Sequence, residues 1–149
     1  MAFLTSLDIT GSALTAERFR MDTIAQNMAN ITTTMTPEGT PYRRKQVVFE
    51  ERGLTSFRNV LNNELRRVSP SKVSGGVRIA KVVESQEPFV PVYDPNHPHA
   101  DANGYVMMPN VDRAEEQVDM MAATTAYSAN ITVLNAMKSM TMRALEIGK

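Results

Sequence analysis

Steps of three, four and four residues from Val111 touch Val111, Ala114, Val118, Ala122, Thr125, Ala129, Val133, Ala136, Met140, Ala144 and Ile147. Ten of these eleven are apolar, and the exception, Thr125, carries a methyl. The repeat closes after eleven residues, about 3.67 per turn, which predicts a long, nearly straight helix over Val111–Ile147 rather than a heptad coil. A second stripe of Met120, Ala123, Tyr127, Ile131, Leu134, Met142 and Leu145 lies two positions away, about 200° around the same helix, and is interrupted by Lys138. A surface helix hides one apolar face, whereas this one has two. A chain of 149 residues has room for one core. Its only other long helical pattern supplies too little surface to cover both stripes. Half of the apolar surface is left for another molecule, so the pattern predicts an assembly protein.

That other helix is predicted from Ser6 to Thr34. Leu7, Leu14, Met21 and Met28 recur every seven residues, and Ile24 and Ile31 join the same side. Thr10 and Glu17 leave the seam incomplete in its first half. The Ile-Thr-Thr-Thr run and Pro37-Glu38-Gly39 end it through β-branching, a proline and a turn glycine. Between the helices lies sequence of another kind, which holds all eight prolines and most of the glycines. Lys45–Phe49, Val77–Val83 and Phe89–Val92 read as short strands. Ser56–Arg67 suits a short helix or a loop, Val68–Gly76 a flexible segment, and Asp94–Tyr105 a turn-dense loop. The expected fold is mainly α with a small β-rich insert, the long N- and C-terminal helices pairing into a coiled-coil-like assembly core. The expected boundaries are residues 1–36, 37–109 and 110–149.

Several function classes drop out on composition. The chain has no cysteine, which removes disulfides, thiol catalysis and most structural zinc sites. Sixteen basic residues balance sixteen acidic ones, so nothing favours nucleic acid. No apolar run approaches the roughly 18 to 20 residues of a membrane span. Met1–Thr10 carries Asp8 and no Lys or Arg, unlike a secretory signal, so any export is expected to proceed without a cleaved leader. Eleven methionines suit surfaces that pack against several slightly different partners.

The motifs carry a resemblance. Ser12-Ala13-Leu14-Thr15-Ala16-Glu17-Arg18, Ile24-Ala25-Gln26-Asn27-Met28-Ala29-Asn30 and Thr32-Thr33 resemble the N-terminal signature of bacterial flagellar rod and hook proteins. Thr36–Arg44, the Tyr93-Asp94-Pro95-Asn96-His97-Pro98 loop, Asn103-Gly104-Tyr105-Val106-Met107-Met108-Pro109-Asn110-Val111 and Tyr127-Ser128-Ala129-Asn130 are similar to the proximal rod members of that group. Thr125 and Ser128 stand where those members usually carry Arg and Glu or Gln. The resemblance implies a non-enzymatic structural subunit, exported through the flagellar type III apparatus. Such a subunit polymerises in the periplasm into a hollow shaft that transmits torque. Its partners would be copies of itself, other rod proteins, and the membrane (MS) ring with the components near the export gate. No small-molecule substrate, nucleic acid, cofactor or metal is implied. Another rod or hook subunit, a cytoplasmic helical adaptor and a small metal-dependent hydrolase are the competing readings.

Under this reading the assembly interface comprises Leu7, Leu14, Met21, Ile24, Asn27, Met28, Asn30 and Ile31 on the first helix. On the second it comprises Val118, Ala122, Tyr127, Ala129, Asn130, Val133, Ala136, Met140 and Ala144. Asn27 and Asn30, one turn apart, suit either helix capping or inter-subunit hydrogen bonds that set register; the resemblance favours the second. Tyr93, Asp94, His97, Asn103, Gly104, Tyr105, Pro109 and Asn110 form an expected docking loop. His97 and His99 with Asp94 and Asp101 are the chain's one ligand-like cluster, but Pro95 and Pro98 favour a rigid turn over a metal site. Arg43-Arg44-Lys45 reads as a solvated strand start, or as partner to Glu115, Glu116 and Asp119 of an adjacent subunit.

Overall fold

The computed structural model describes residues 2–52 and 75–147. Among the described residues six elements follow one another: α1 (Ala2–Ala29), β1 (Lys45–Glu51), β2 (Val77–Glu84), β3 (Val90–Tyr93), β4 (Tyr105–Met108) and α2 (Arg113–Ile147). Two long helices therefore flank a small β-rich insert, as the periodicities predict. The expectations for Ser56–Arg67, and for Val68 onward to residue 74, lie outside the described residues.

Helix α1 ends five residues short of the expected Thr34. Asn30 stops it: the Asn30 side-chain amide donates to the Gln26 carbonyl at 2.9 Å and its Oδ1 accepts from Thr33 at 3.2 Å. The β-branched run beyond it does not rejoin the helix. Of the polar residues that break the α1 seam, Thr10 is accommodated locally, as is Thr23, whereas Glu17 Oε2 is buried without a hydrogen-bond partner among the described residues. Thr10 and Thr23 are buried because their hydroxyls donate to the carbonyls of Ser6 and Phe19, four residues back. Helix α2 begins at Arg113 because Asp112 caps it: Oδ1 accepts from the Ala114 amide at 2.7 Å. Glu115 and Glu116 in the first turn complement the helix dipole.

The chain forms two compact units. The first comprises Met1–Arg18, Phe49–Ala80 and Thr125–Lys149. In it the two helices meet where the Thr10 hydroxyl approaches the Met137 sulfur at 3.9 Å, with Ala16 buried. The start of β2 passes close over α1: the Val77 amide donates to Ser12 Oγ at 3.1 Å, and Ser12 Oγ donates to the Ile9 carbonyl at 2.7 Å. Gly76 makes that approach possible. Its φ is +99°, and a Cβ there would fall 2.2 Å from Ser12 Oγ and 3.3 Å from the Ile9 Cα.

The second unit comprises Phe19–Val48 and Lys81–Thr124. Its buried apolar residues are Ile24, Tyr42, Val106 and Ala123. Here α1 and α2 run antiparallel: Met21 faces Thr124, Arg20 faces Asp119 and Asn27 faces Glu116. Strands β3 and β4 form an antiparallel hairpin that pairs Val90 with Met108 and Tyr93 with Tyr105. Strand β4 is a correction to the sequence reading, in which no strand follows Tyr105. Its burial alternates, with Val106 buried between exposed Tyr105 and Met107, but all four residues are large and apolar, so the period of two is invisible in the sequence. The loop that closes the hairpin is as turn-dense as expected. Gly104 has φ +77° and donates to the Asp101 carbonyl at 2.8 Å, beneath the Tyr93 ring.

Replacing Gly76 with alanine combines a steric clash with a disfavoured φ. It is expected to lower unfolding free energy by about 1–3 kcal/mol, measured by denaturant titration followed by helical circular dichroism. An unchanged midpoint would mean that β2 passes α1 at a greater distance.

Candidate functional site

The polar centre of the second unit is one buried arginine among three carboxylates. Arg44 precedes β1, and its side chain is 8% exposed. Nε donates to Glu116 Oε1 at 2.5 Å, Nη1 to Glu115 at 3.0 Å and Nη2 to Asp119 at 3.0 Å. Glu116 is fully buried. Its second oxygen accepts from Asn27 Nδ2 at 3.1 Å. The same amide nitrogen donates to the Lys45 carbonyl at 2.9 Å, while Asn27 Oδ1 accepts from the Lys45 amide and the Tyr42 hydroxyl, each at 2.9 Å. Asn110 accepts from the Arg44 amide at 2.8 Å and donates to the Glu87 carbonyl at 3.1 Å. Arg20 adds a longer contact to Asp119 at 3.5 Å.

These side chains come from four segments of the chain, so the network ties α1, the approach to β1, the segment before α2 and the first turns of α2. The chemistry is that of a clasp, with every buried polar atom of Asn27 and Glu116 satisfied. Burial opposes the charge of Arg44, but the hydrogen bond and charge of Glu116, with those of Glu115, outweigh it and hold the guanidinium pKa above its ordinary value. Burial also raises the Tyr42 phenol above 10.0, helped by the negative charges of Glu116 and Glu84.

This arrangement bears on two sequence expectations. Arg44 does pair with Glu115, Glu116 and Asp119, but within one chain rather than between subunits. Asn27 makes four hydrogen bonds inside the chain, which fix α1 against Lys45, Tyr42 and the first turns of α2. Asn30 is a local cap. Ile24, Pro109 and Asn110 are likewise buried in the chain's own interior. Leu7, Leu14, Met21, Met28 and Ile31 are half-buried. Arg43 also turns inward, lying 4.4 Å over the Phe89 ring and donating to the Ser85 carbonyl.

Helix α2 separates its two stripes cleanly. Met120, Ala123, Tyr127, Ile131 and Leu134 are buried or half-buried, as is Asn130. Ala114, Val118, Ala122, Ala129, Val133, Ala136, Met140 and Ala144 are all exposed, with Val118 at 60%, Val133 at 48% and Met140 at 70%. Toward its C-terminal end the second stripe surfaces too, at Met142 and Leu145. In the hairpin, Tyr93, Asp94, Asn103 and Tyr105 are exposed, and the two tyrosine rings meet edge-on at 5.3 Å. His97 and His99 stack edge-on at 5.3 Å, and His99 Nδ1 lies 2.9 Å from the Thr34 hydroxyl. Among the described residues, no three His, Cys, Asp or Glu side chains converge as a metal site would require.

An exposed apolar helix face of this length marks an interaction surface, and comparison with known proteins gives the family. The description "Flagellar basal body rod FlgEFG protein C-terminal" matches residues 102–147, which include β4 and α2. The chain is 45% identical to the flagellar basal-body rod protein FlgC of Bacillus subtilis over 97% of both chains. It is 45% identical to that of Salmonella typhimurium over the full length of both. The chain belongs to the FlgC family of flagellar basal-body rod proteins. The FlgC of Borreliella burgdorferi is 38% identical over 99% of this chain. As a FlgC family member the protein is a structural subunit of the flagellar rod, not an enzyme.

Removing the charge of Arg44 strands Glu116 in the interior. Arg44→Met is expected to cost about 3–5 kcal/mol of stability, read by denaturant unfolding; a loss under about 1 kcal/mol would mean the carboxylates are solvated. Because folding raises the Tyr42 pKa, its contribution is intact below about pH 10 and is lost as pH rises from there through the folded value. Thermal midpoints of the wild type are therefore expected to fall above about pH 10 more steeply than those of Tyr42→Phe. Parallel curves would assign the alkaline limb to other groups.

Proposed function

We propose that this chain polymerises through the exposed stripe of α2 into a hollow rod that transmits torque. The supporting observation is that Ala114, Val118, Ala122, Ala129, Val133, Ala136, Met140 and Ala144 lie on one side of one helix and are uncovered in the single chain. Covering such a stripe gains about 25 cal/mol for each Å² of apolar surface removed from water, and the alanines let a neighbouring backbone approach closely. Copies of the chain and related rod subunits, whose helices present similar faces, are the partners that fit.

The α1 residues act at one remove. Packed against the inner stripe of α2, they present the outer stripe to neighbours as a rigid face. The hairpin, with Tyr93, Tyr105 and Met107 exposed, supplies a second contact from the same subunit. Periplasmic placement next to the membrane (MS) ring, and passage through the type III export apparatus, complete the proposal. A chain without cysteine suits that route because it needs no oxidative step after transport.

Ala129→Asp and Val133→Asp place a charge on the stripe without touching the interior. Both are expected to keep wild-type helix content and thermal midpoint to within a few degrees, yet to be missing from purified basal bodies and to abolish swimming. Normal motility with rods of wild-type composition would overturn the proposal.

A further inference from the structure

The loop that closes the β3–β4 hairpin contains a hydrogen bond of fixed direction. The His99 backbone amide donates to His97 Nδ1 at 3.1 Å. A backbone N–H only donates, so Nδ1 must offer its lone pair, and neutral His97 carries its proton on Nε2. The loop is tightly turned around this bond: the His97 amide donates to the Asp94 carbonyl at 3.3 Å, and the Ala100 amide to the His97 carbonyl at 3.1 Å. Pro95 and Pro98 restrict the backbone on either side of His97.

A proton on Nδ1 removes the acceptor and sets two donors against each other, so the bond that closes the turn is lost. The neighbouring contact behaves differently. His99 Nδ1 lies 2.9 Å from the Thr34 hydroxyl, which ties the loop to the segment after α1. A hydroxyl both donates and accepts, so by rotating it serves either protonation state of His99. His97 is therefore the sensitive ring and His99 the tolerant one. Their centroids are 5.3 Å apart, so charge on one ring also opposes charge on the other.

The charged groups around the pair are few. Asp94 and Asp101 lie in the loop, both exposed, and each favours a cation there. Asp94 Oδ1 accepts from the Asn96 amide at 3.2 Å. The segment that meets the loop, residues 30–36, carries no charged side chain, and Glu38 follows it. Tyr93 and Tyr105, ring against ring at the base of the loop, complete its titratable groups.

We infer that the His97–His99 turn is a proton-operated latch on the hairpin loop, closed while His97 is neutral and opened by acid. Imidazole is the side chain that gains its charge between about pH 8 and pH 5. The closed turn excludes a proton from Nδ1 and the open turn admits one, so acid shifts the balance toward opening. Tyr93 and Tyr105 flank this loop and are proposed above to meet a neighbouring subunit. A weakening of that contact in acid rests on the proposed function, whereas the latch rests on the loop alone.

Asparagine offers Oδ1 where imidazole has Nδ1, and it accepts from the amide two residues on without ever gaining a proton. His97→Asn is therefore a latch that stays closed. In the purified full-length chain, hydrogen exchange at the His99 and Ala100 amides is read by nuclear magnetic resonance and corrected for the intrinsic effect of pH. It is expected to speed up at least about fivefold between about pH 7.5 and about pH 5.5, and less than about twofold in His97→Asn. His99→Asn is expected to keep the wild-type response, and the ring nitrogen shifts of neutral His97 to place its proton on Nε2. The same response in wild type and His97→Asn, its loss in His99→Asn, or a neutral His97 protonated at Nδ1 would each overturn the latch. The measurement needs no assembly, so its failure leaves the proposed assembly surface standing. Normal swimming of Val133→Asp would remove that surface and leave the latch.

Discussion

The contact between Arg44 and Glu116 governs the second unit of this protein. A carboxylate buried to that degree requires a full cation beside it, and a buried guanidinium needs acceptors in several directions. Glu116 supplies one, Glu115 and Asp119 supply two more, and Asn27 takes the oxygen that is left. The donors and acceptors come from α1, the approach to β1 and the first turns of α2. Satisfying the ion pair therefore sets the register of all three together. Replacing the pair with apolar residues of similar shape would not carry the same instruction, since apolar contacts slide and hydrogen-bond geometry does not.

That internal fixing gives the outside of α2 its meaning. A helix with two apolar stripes has no preferred side until something selects one. The polar groups on the inner side make the selection: Glu116 and Asp119 occupy the face that continues into Met120, Ala123, Tyr127, Ile131 and Leu134. With that face turned toward α1, the alanine-rich stripe is left outward. Under the proposed function the hydrophobic effect then acts between chains instead of within one. Small residues suit this purpose, since they expose modest apolar area in the free subunit yet allow close backbone packing when a partner arrives. The similarity to the rod proteins runs along the whole chain rather than around a single site.

Much of this is legible in the residues without any fold in hand. The eleven-residue repeat locates α2 and shows that one chain does not cover it, and the proline-rich middle announces the insert. Strand β4 escapes because Tyr105–Met108 is apolar at every position, so the alternation that marks a half-buried strand has no polar beat. Periodicity misplaces the end of α1 because Asn30 caps the helix with its side chain, a local hydrogen bond that spacing does not register. Arg44 stands out as a partner for the acids of α2, but nothing in a linear pattern distinguishes a bond within a subunit from one between subunits.

The sequence by itself determined the two long helices, their apolar stripes and the need for assembly, because these follow from side-chain periodicity and from the small volume that 149 residues can enclose. Only the tertiary structure decided which stripe faces inward and which residues set the register. That choice depends on side chains distant in sequence, Asn27, Arg44, Asn110 and Glu116, whose hydrogen bonds have a direction that no spacing along the chain encodes.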